Sequence, residues 1–156
     1  MRGMCLIAAV MITAGTVSVA SAGEIKGLKT SEKSDIGHYL VTSDGMSVYL
    51  FEKDRPGTSK CYDQCAQVWP PVTAAKLPSV AGSIDPEKLG LSPRKDGKKQ
   101  VTYNGWPLYT YAPDTSPGDI KGQDIEGFGA EWYLIRPSGE KAGHHHEDHD
   151  EAGEEH

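Results

Sequence analysis

Two short stretches of this chain carry the same pattern. Tyr49-Leu50-Phe51-Glu52-Lys53-Asp54 and Tyr109-Thr110-Tyr111-Ala112-Pro113-Asp114 both read tyrosine, any residue, aromatic, two residues, aspartate, with the tyrosines 60 positions apart. The surroundings echo as well: Asp44-Gly45 precedes the first copy, Asn104-Gly105 the second, and a tryptophan follows each (Trp69, Trp132). A supersecondary unit has been used twice. Aromatics that alternate at period two describe a strand rather than a catalytic site, so the repeat constrains architecture and leaves chemistry open.

The expected fold is mainly β, with two hairpin-based repeats packed into one small domain. In the first repeat, residues 37–72, Tyr39-Leu40-Val41-Thr42 and Ser47-Val48-Tyr49-Leu50-Phe51 are β-rich runs around the turn signal Ser43-Asp44-Gly45-Met46. In the second, residues 94–137, Gln100-Val101-Thr102-Tyr103 and Pro107-Leu108-Tyr109-Thr110-Tyr111 flank Asn104-Gly105, the strongest two-residue hairpin signal. The second strand of each hairpin carries the motif. Cys65 to Trp69 suits a short helical turn stopped by Pro70-Pro71, and Glu131 to Ile135 a final strand. Glu24 to Ser34 reads as a loosely held polar leader, and Ser83 to Ser92 as a loop or a single helical turn. Each copy has under about sixty residues, a size at which core burial is marginal, so one domain over 23–140 is expected to contain both.

The ends of the chain read differently. Met1-Arg2 gives a short positive start, Cys5 to Val19 is mostly apolar and uncharged, and Ala20-Ser21-Ala22 is a small-x-small cleavage site. Residues 1–22 are therefore expected to be a signal peptide, cut near Ala22, and the apolar run is too short to favour a membrane span. The destination is periplasmic or secreted. Removing the leader takes away only Arg2, which moves the net charge from −6 to −7. Acidic protein repels phosphate, so a nucleic-acid partner is disfavoured. Cys5 leaves with the leader. Cys61 and Cys65, left in an oxidising compartment, are expected to bond to each other and pin a turn. A thioredoxin-type site would have two intervening residues, and a haem attachment a histidine after the second cysteine; neither holds here.

This ordered series closely resembles a family of exported bacterial proteins, many of them lipoproteins, that is defined by a repeated Tyr-x-(Phe/Trp/Tyr)-x-x-Asp motif, a secreted repeat of unknown function. The matching stretches are Tyr49 to Asp54, Cys61-x-x-x-Cys65-Ala66-x-x-Trp69-Pro70-Pro71, Asp96-Gly97 through Asp114, and Pro117-Gly118-Asp119-x-x-Gly122-Gln123 with Gly127-Phe128-Gly129-x-x-Trp132-Tyr133. The resemblance implies export and carries over no catalytic residue. The chain departs from the lipoprotein members in having no lipobox.

Asp54 and Asp114 are the candidates for acid/base work or cation binding. Each also opens a turn sequence, and an aspartate readily accepts hydrogen bonds from backbone N–H groups just ahead of it, so strand closure is the favoured role. Tyr49, Phe51, Tyr109, Tyr111, Trp69, Trp106, Trp132 and Tyr133 offer either a ligand cleft or a core, and core packing is favoured. No nucleophile–base arrangement accompanies them, and the chain is read as a non-enzyme.

Residues 141–156 hold five of the six histidines (His144, His145, His146, His149 and His156) among six carboxylates and almost no apolar side chains. Such a composition cannot bury a core and is expected to be a disordered C-terminal tail. Clustered imidazoles suit a Zn²⁺, Ni²⁺ or Cu²⁺ ion, with the carboxylates neutralising its charge. The function read from the sequence is thus a non-catalytic envelope protein that binds transition metal through this tail. Its alternatives are an interaction module that meets another envelope protein through an aromatic face, and a redox or electron-transfer accessory protein.

Overall fold

The computed structural model describes residues 24–143. The expected signal peptide and the five tail histidines therefore lie outside the described residues. The elements in order are β1 (Gly27–Lys33), β2 (Gly37–Thr42), β3 (Tyr49–Phe51), α1 (Gln64–Val68), β4 (Ser79–Val80), a 3-10 turn (Pro86–Lys88), β5 (Leu89–Pro93), β6 (Lys99–Tyr103), β7 (Trp106–Pro107), β8 (Ile125–Gly127) and β9 (Ala130–Leu134). The fold is mainly β, in three small sheets ordered β2-β1-β4, β3-β9-β8 and β5-β6-β7.

Each repeat begins with a strand that its sequence conceals. Glu24 to Ser34 is not a loose leader: β1 runs antiparallel to β2 from Leu28↔Thr42 to Lys33↔Gly37. Its counterpart β5 pairs with β6 from Leu89↔Tyr103 to Pro93↔Lys99, overlapping the stretch read as a loop or a single helical turn, of which Pro86–Lys88 does form a turn of 3-10 helix. Both lack a clean alternation. The far half of β1 is polar and exposed, and Gly90 interrupts β5, so Leu28, Leu89 and Leu91 reach the core but the ladders to β2 and β6 supply much of what holds these strands. The turns are as expected. Asn104 and Gly105 both have positive φ, 51° and 81°, the conformation that matches the twist of a two-residue hairpin, here joining β6 to β7.

The repeats are interleaved rather than stacked. Tyr49 and Tyr109 face one another as an antiparallel pair and exchange both backbone hydrogen bonds, at 2.8 and 3.0 Å. On its other side Tyr49 pairs with Leu134 of β9, which follows Trp132 in the second repeat. Tyr109 pairs on its other side with Pro71, which follows Trp69 in the first repeat. Each motif strand is thus flanked by the tryptophan-bearing segment of the other copy.

This arrangement covers both faces of the central strands. Val48, Leu50, Leu108, Tyr133 and Ile135 point into one core with Leu28, Leu40, Val72 and Val101. Tyr49, Phe51, Tyr109, Trp132 and Leu134 point into a second with Tyr39, Val41 and Trp69. The period of two separates an aliphatic face from an aromatic one, not inside from outside, because both sheet faces are dry. Pairing also runs past Glu140: Lys141 bridges Ile135, and the N–H of the buried Ala142 donates to Leu134 O at 2.7 Å.

Candidate functional site

Asp54 and Asp114 each close a strand, as their turn sequences imply. The N–H of Asp54 donates to Phe51 O and that of Asp114 to Tyr111 O. One carboxylate oxygen of each holds the loop that follows: Asp54 Oδ1 accepts from Lys60 N–H at 2.7 Å, and Asp114 Oδ1 from Lys121 N–H at 2.9 Å. The other oxygen is taken by the opposite repeat. Tyr109 donates its hydroxyl to Asp54 Oδ2 and Tyr49 its hydroxyl to Asp114 Oδ2, both at 2.6 Å. The motif therefore works as a crossed clasp: the tyrosine of each copy binds the aspartate of the other. The two carboxylates form no couple with one another, and their oxygens are occupied.

The clasps differ in what stands behind them. Around Tyr49 the hydroxyl accepts from Gly122 N–H at 3.2 Å, and a Cβ at Gly122 would lie 2.7 Å from the Trp69 ring. Only glycine lets the backbone come so near the hydroxyl. Around Tyr109 stands a buried cation. Arg94 gives Nη1 to Ser59 Oγ (3.0 Å) and Gln100 Oε1 (2.8 Å), Nη2 to Cys61 O (2.9 Å) and Nε to Asp96 (3.1 Å). Ser59 Oγ lies 2.7 Å from the Tyr109 hydroxyl, and Gln100 Nε2 donates to Leu108 O at 2.8 Å. Burial pushes the Asp54 carboxyl up to about 6, against the hydrogen bonds from Tyr109 and Lys60 and the charge of Arg94. Burial also raises both tyrosine hydroxyls far above their ordinary value, with the facing carboxylates adding to it.

Cys61 and Cys65 are bonded, with Cα atoms 5.2 Å apart, and link the loop after the Asp54 turn to α1. Both are buried, and the Cys61 carbonyl is held by Arg94. The bridge braces the same loop that Asp54 grips.

The candidate aromatic residues are core, except Trp106 and Tyr111, which are half-buried and packed against it. Phe51 stacks on Trp132 at 4.0 Å, Trp132 on Trp69 at 3.9 Å with an interplanar angle of 1°, and Trp69 on Tyr111 at 4.0 Å. Tyr109 meets Trp132 edge-on at 5.1 Å and Tyr49 meets Trp69 edge-on at 5.4 Å. All but Tyr111 are at most 1 % exposed, so these rings enclose no ligand cleft. His38 is exposed and 4.0 Å from Glu32. Among the described residues no group of three His, Cys, Asp or Glu side chains is placed to hold a metal, and no helix is long and apolar enough to cross a membrane.

No role in the clasps is legible in the sequence for Arg94, Ser59, Gln100 or Gly122. Arg94 sits beside a cluster of lysines that belongs to an exposed turn. The available signal was alternation: Ser92 and Arg94 are two apart at the end of β5, and both point inward.

A family model described as a secreted repeat of unknown function matches residues 30–73 and 90–136. Its two segments reach back into β1 and to Gly90 of β5, the strands hidden from pattern reading. No curated protein and no solved structure matches the chain.

Proposed function

The chain belongs to this family of secreted repeats, and from that premise we propose that it is a non-catalytic periplasmic or secreted envelope protein that holds Zn²⁺, Ni²⁺ or Cu²⁺ on its C-terminal histidines. The observation that carries this reading is the position of the histidines. Five of six follow Ala142, the point at which the chain is still hydrogen-bonded to β9 and packed in the aromatic core. The two motif carboxylates, Asp54 and Asp114, are held in the clasps, which supports a scaffolding role for them rather than acid/base chemistry. His144 to His146, His149 and His156, interspersed with carboxylates, supply borderline nitrogen ligands suited to these ions.

Calorimetric titration of the chain from Gly23 against one ending at Gly143 tests the proposal. The longer chain should bind at about pH 7.5 and release the ion at about pH 5, because imidazole coordinates only when deprotonated and its ordinary pKa is about 6.5. The shorter chain should not bind. Cu²⁺ should also quench the fluorescence of Trp69 and Trp132, which share their buried cluster with Ala142. Equal affinity in both chains would move the site into the domain. Export itself is tested by N-terminal sequencing of the mature protein, which should begin at or near Gly23.

Absence of binding in either chain would favour the interaction-module reading. The described surface supports that reading at the edge strand β8 and the turn that follows it, where Ile125 and Phe128 are large exposed apolar side chains.

A further inference from the structure

Tyr111, Trp69 and Trp132 form a continuous stack with centroid spacings of 4.0 and 3.9 Å, and Tyr111 brings it to the surface. Its inner members are flanked by Tyr49, 5.4 Å from Trp69, and Tyr109, 5.1 Å from Trp132. These are the two side chains whose hydroxyls rest at 2.6 Å on buried carboxylates. Packing alone does not require this. Phenylalanine would fill the same space, and burying a carboxylate carries a desolvation penalty that an apolar core avoids. A phenol is far easier to oxidise when its proton has a base to go to at once, because the high-energy phenol radical cation is then avoided. Indole and phenol rings are also the side chains that lose single electrons most readily.

We propose that the stack and its two clasps form a one-electron oxidation relay, in which an oxidant at Tyr111 draws an electron from Tyr49 through Trp69, or from Tyr109 through Trp132 and Trp69. The oxidant is an oxygen-centred radical or a high-valent metal ion, which gains the electron. In the Tyr109 arm the O–H bond breaks, the proton forms a new O–H bond on Asp54 Oδ2, and a neutral tyrosyl radical remains beside a neutral carboxylic acid. A one-electron reductant of the ascorbate class reverses the step: the radical gains an electron and recovers its proton from Asp54. The Tyr49 arm does the same with Asp114. Both radicals form in a core closed to solvent, where they are shielded from further reaction.

The test uses the metal-free chain from Gly23 to His156, so its failure leaves the metal reading untouched. Photogenerated tris(bipyridine)ruthenium(III) is the oxidant, and electron paramagnetic resonance the readout. The expected result is a neutral tyrosyl signal that ascorbate removes and that forms more slowly in deuterium oxide. Tyr49→Phe and Tyr109→Phe should each lower its yield, and together abolish it. Asp54→Asn combined with Asp114→Asn removes both bases while keeping acceptors for the hydroxyls, and should slow radical formation by about a hundredfold, the lower range for loss of a positioned base. Tyr133→Phe is the control. Tyr133 also donates to a carboxylate, Glu131, at 2.6 Å, but faces the other core. A signal that persists in the doubly substituted Phe chain, or one that Tyr133→Phe removes, overturns the proposal. So does a wild-type signal with no deuterium effect, which requires no variant to fold.

Discussion

The Tyr109 hydroxyl lies 2.6 Å from Asp54, an aspartate 55 residues earlier in the chain and in the other repeat. The reciprocal bond from Tyr49 to Asp114 makes the relationship symmetric. Within one copy, tyrosine and aspartate stand five apart at opposite ends of the motif, yet neither serves the other. The motif is a device for joining two copies, and its strands separate the two cores that the copies build together.

The first consequence is a dependence on pH. The Asp54 carboxyl is raised in the fold, to about 6, from an ordinary value of 3.8. The folded state therefore binds the proton more tightly than the unfolded one. The contribution of Asp54 is fully stabilising below the lower value and lost as pH rises through the upper one. The stability difference between the wild type and Asp54→Asn, measured by urea unfolding at several pH values, should shift against the wild type between about pH 4 and pH 6. A difference that moves in the wild type's favour over that interval would mean that Arg94 outweighs burial.

Phe51 is 1 % exposed and stacked on Trp132. Phe51→Ala removes that stack from a closed core and should cost about 3–5 kcal/mol in denaturant unfolding. A loss below about 1 kcal/mol would place the ring outside the core.

Gly122 tests the closeness of the Tyr49 clasp. A methyl group there would lie 2.7 and 2.9 Å from carbon atoms of the Trp69 ring and 2.9 Å from the Tyr49 ring, and neither ring has room to turn. Gly122→Ala should destabilise by about 1–3 kcal/mol, as overpacking does, whereas Gly122 in an open loop would tolerate the change.

The Cys61–Cys65 bridge closes a short loop, so losing it should cost about 2 kcal/mol by the chain-entropy relation. Thiol labelling of the unreduced, denatured mature chain should find no free thiol. Equal unfolding midpoints for the reduced and oxidised protein would show that Asp54 and Arg94 hold the loop unaided.

Much of this was legible in the residues, but not all for the same reason. Asn104-Gly105 and the alternation around Tyr49 and Tyr109 are local signals, and the structure follows them. The strands β1 and β5 are not local in origin: Lys29, Ser31 and Glu32 have little strand preference, and the ladder to β2 decides their conformation. The crossing of the clasps is invisible to sequence because the five-residue spacing from tyrosine to aspartate suits a contact within one copy equally well. Arg94 was hidden by its neighbours Lys95, Lys98 and Lys99, which stay in water while it turns inward to Ser59 and Gln100. The metal-ligating role of His144, His145, His146, His149 and His156 rests on composition, and those residues lie outside the described part of the chain.

A double-mutant cycle tests the crossed clasp most directly. Tyr109→Phe and Asp54→Ala, singly and together, should show a coupling of about 1.5–3 kcal/mol in unfolding free energy, the range for a hydrogen bond to a charged group. Tyr49→Phe with Asp54→Ala, the pair within one repeat, should be additive to within about 0.5 kcal/mol. Coupling in the second pair without coupling in the first would contradict the interleaved architecture.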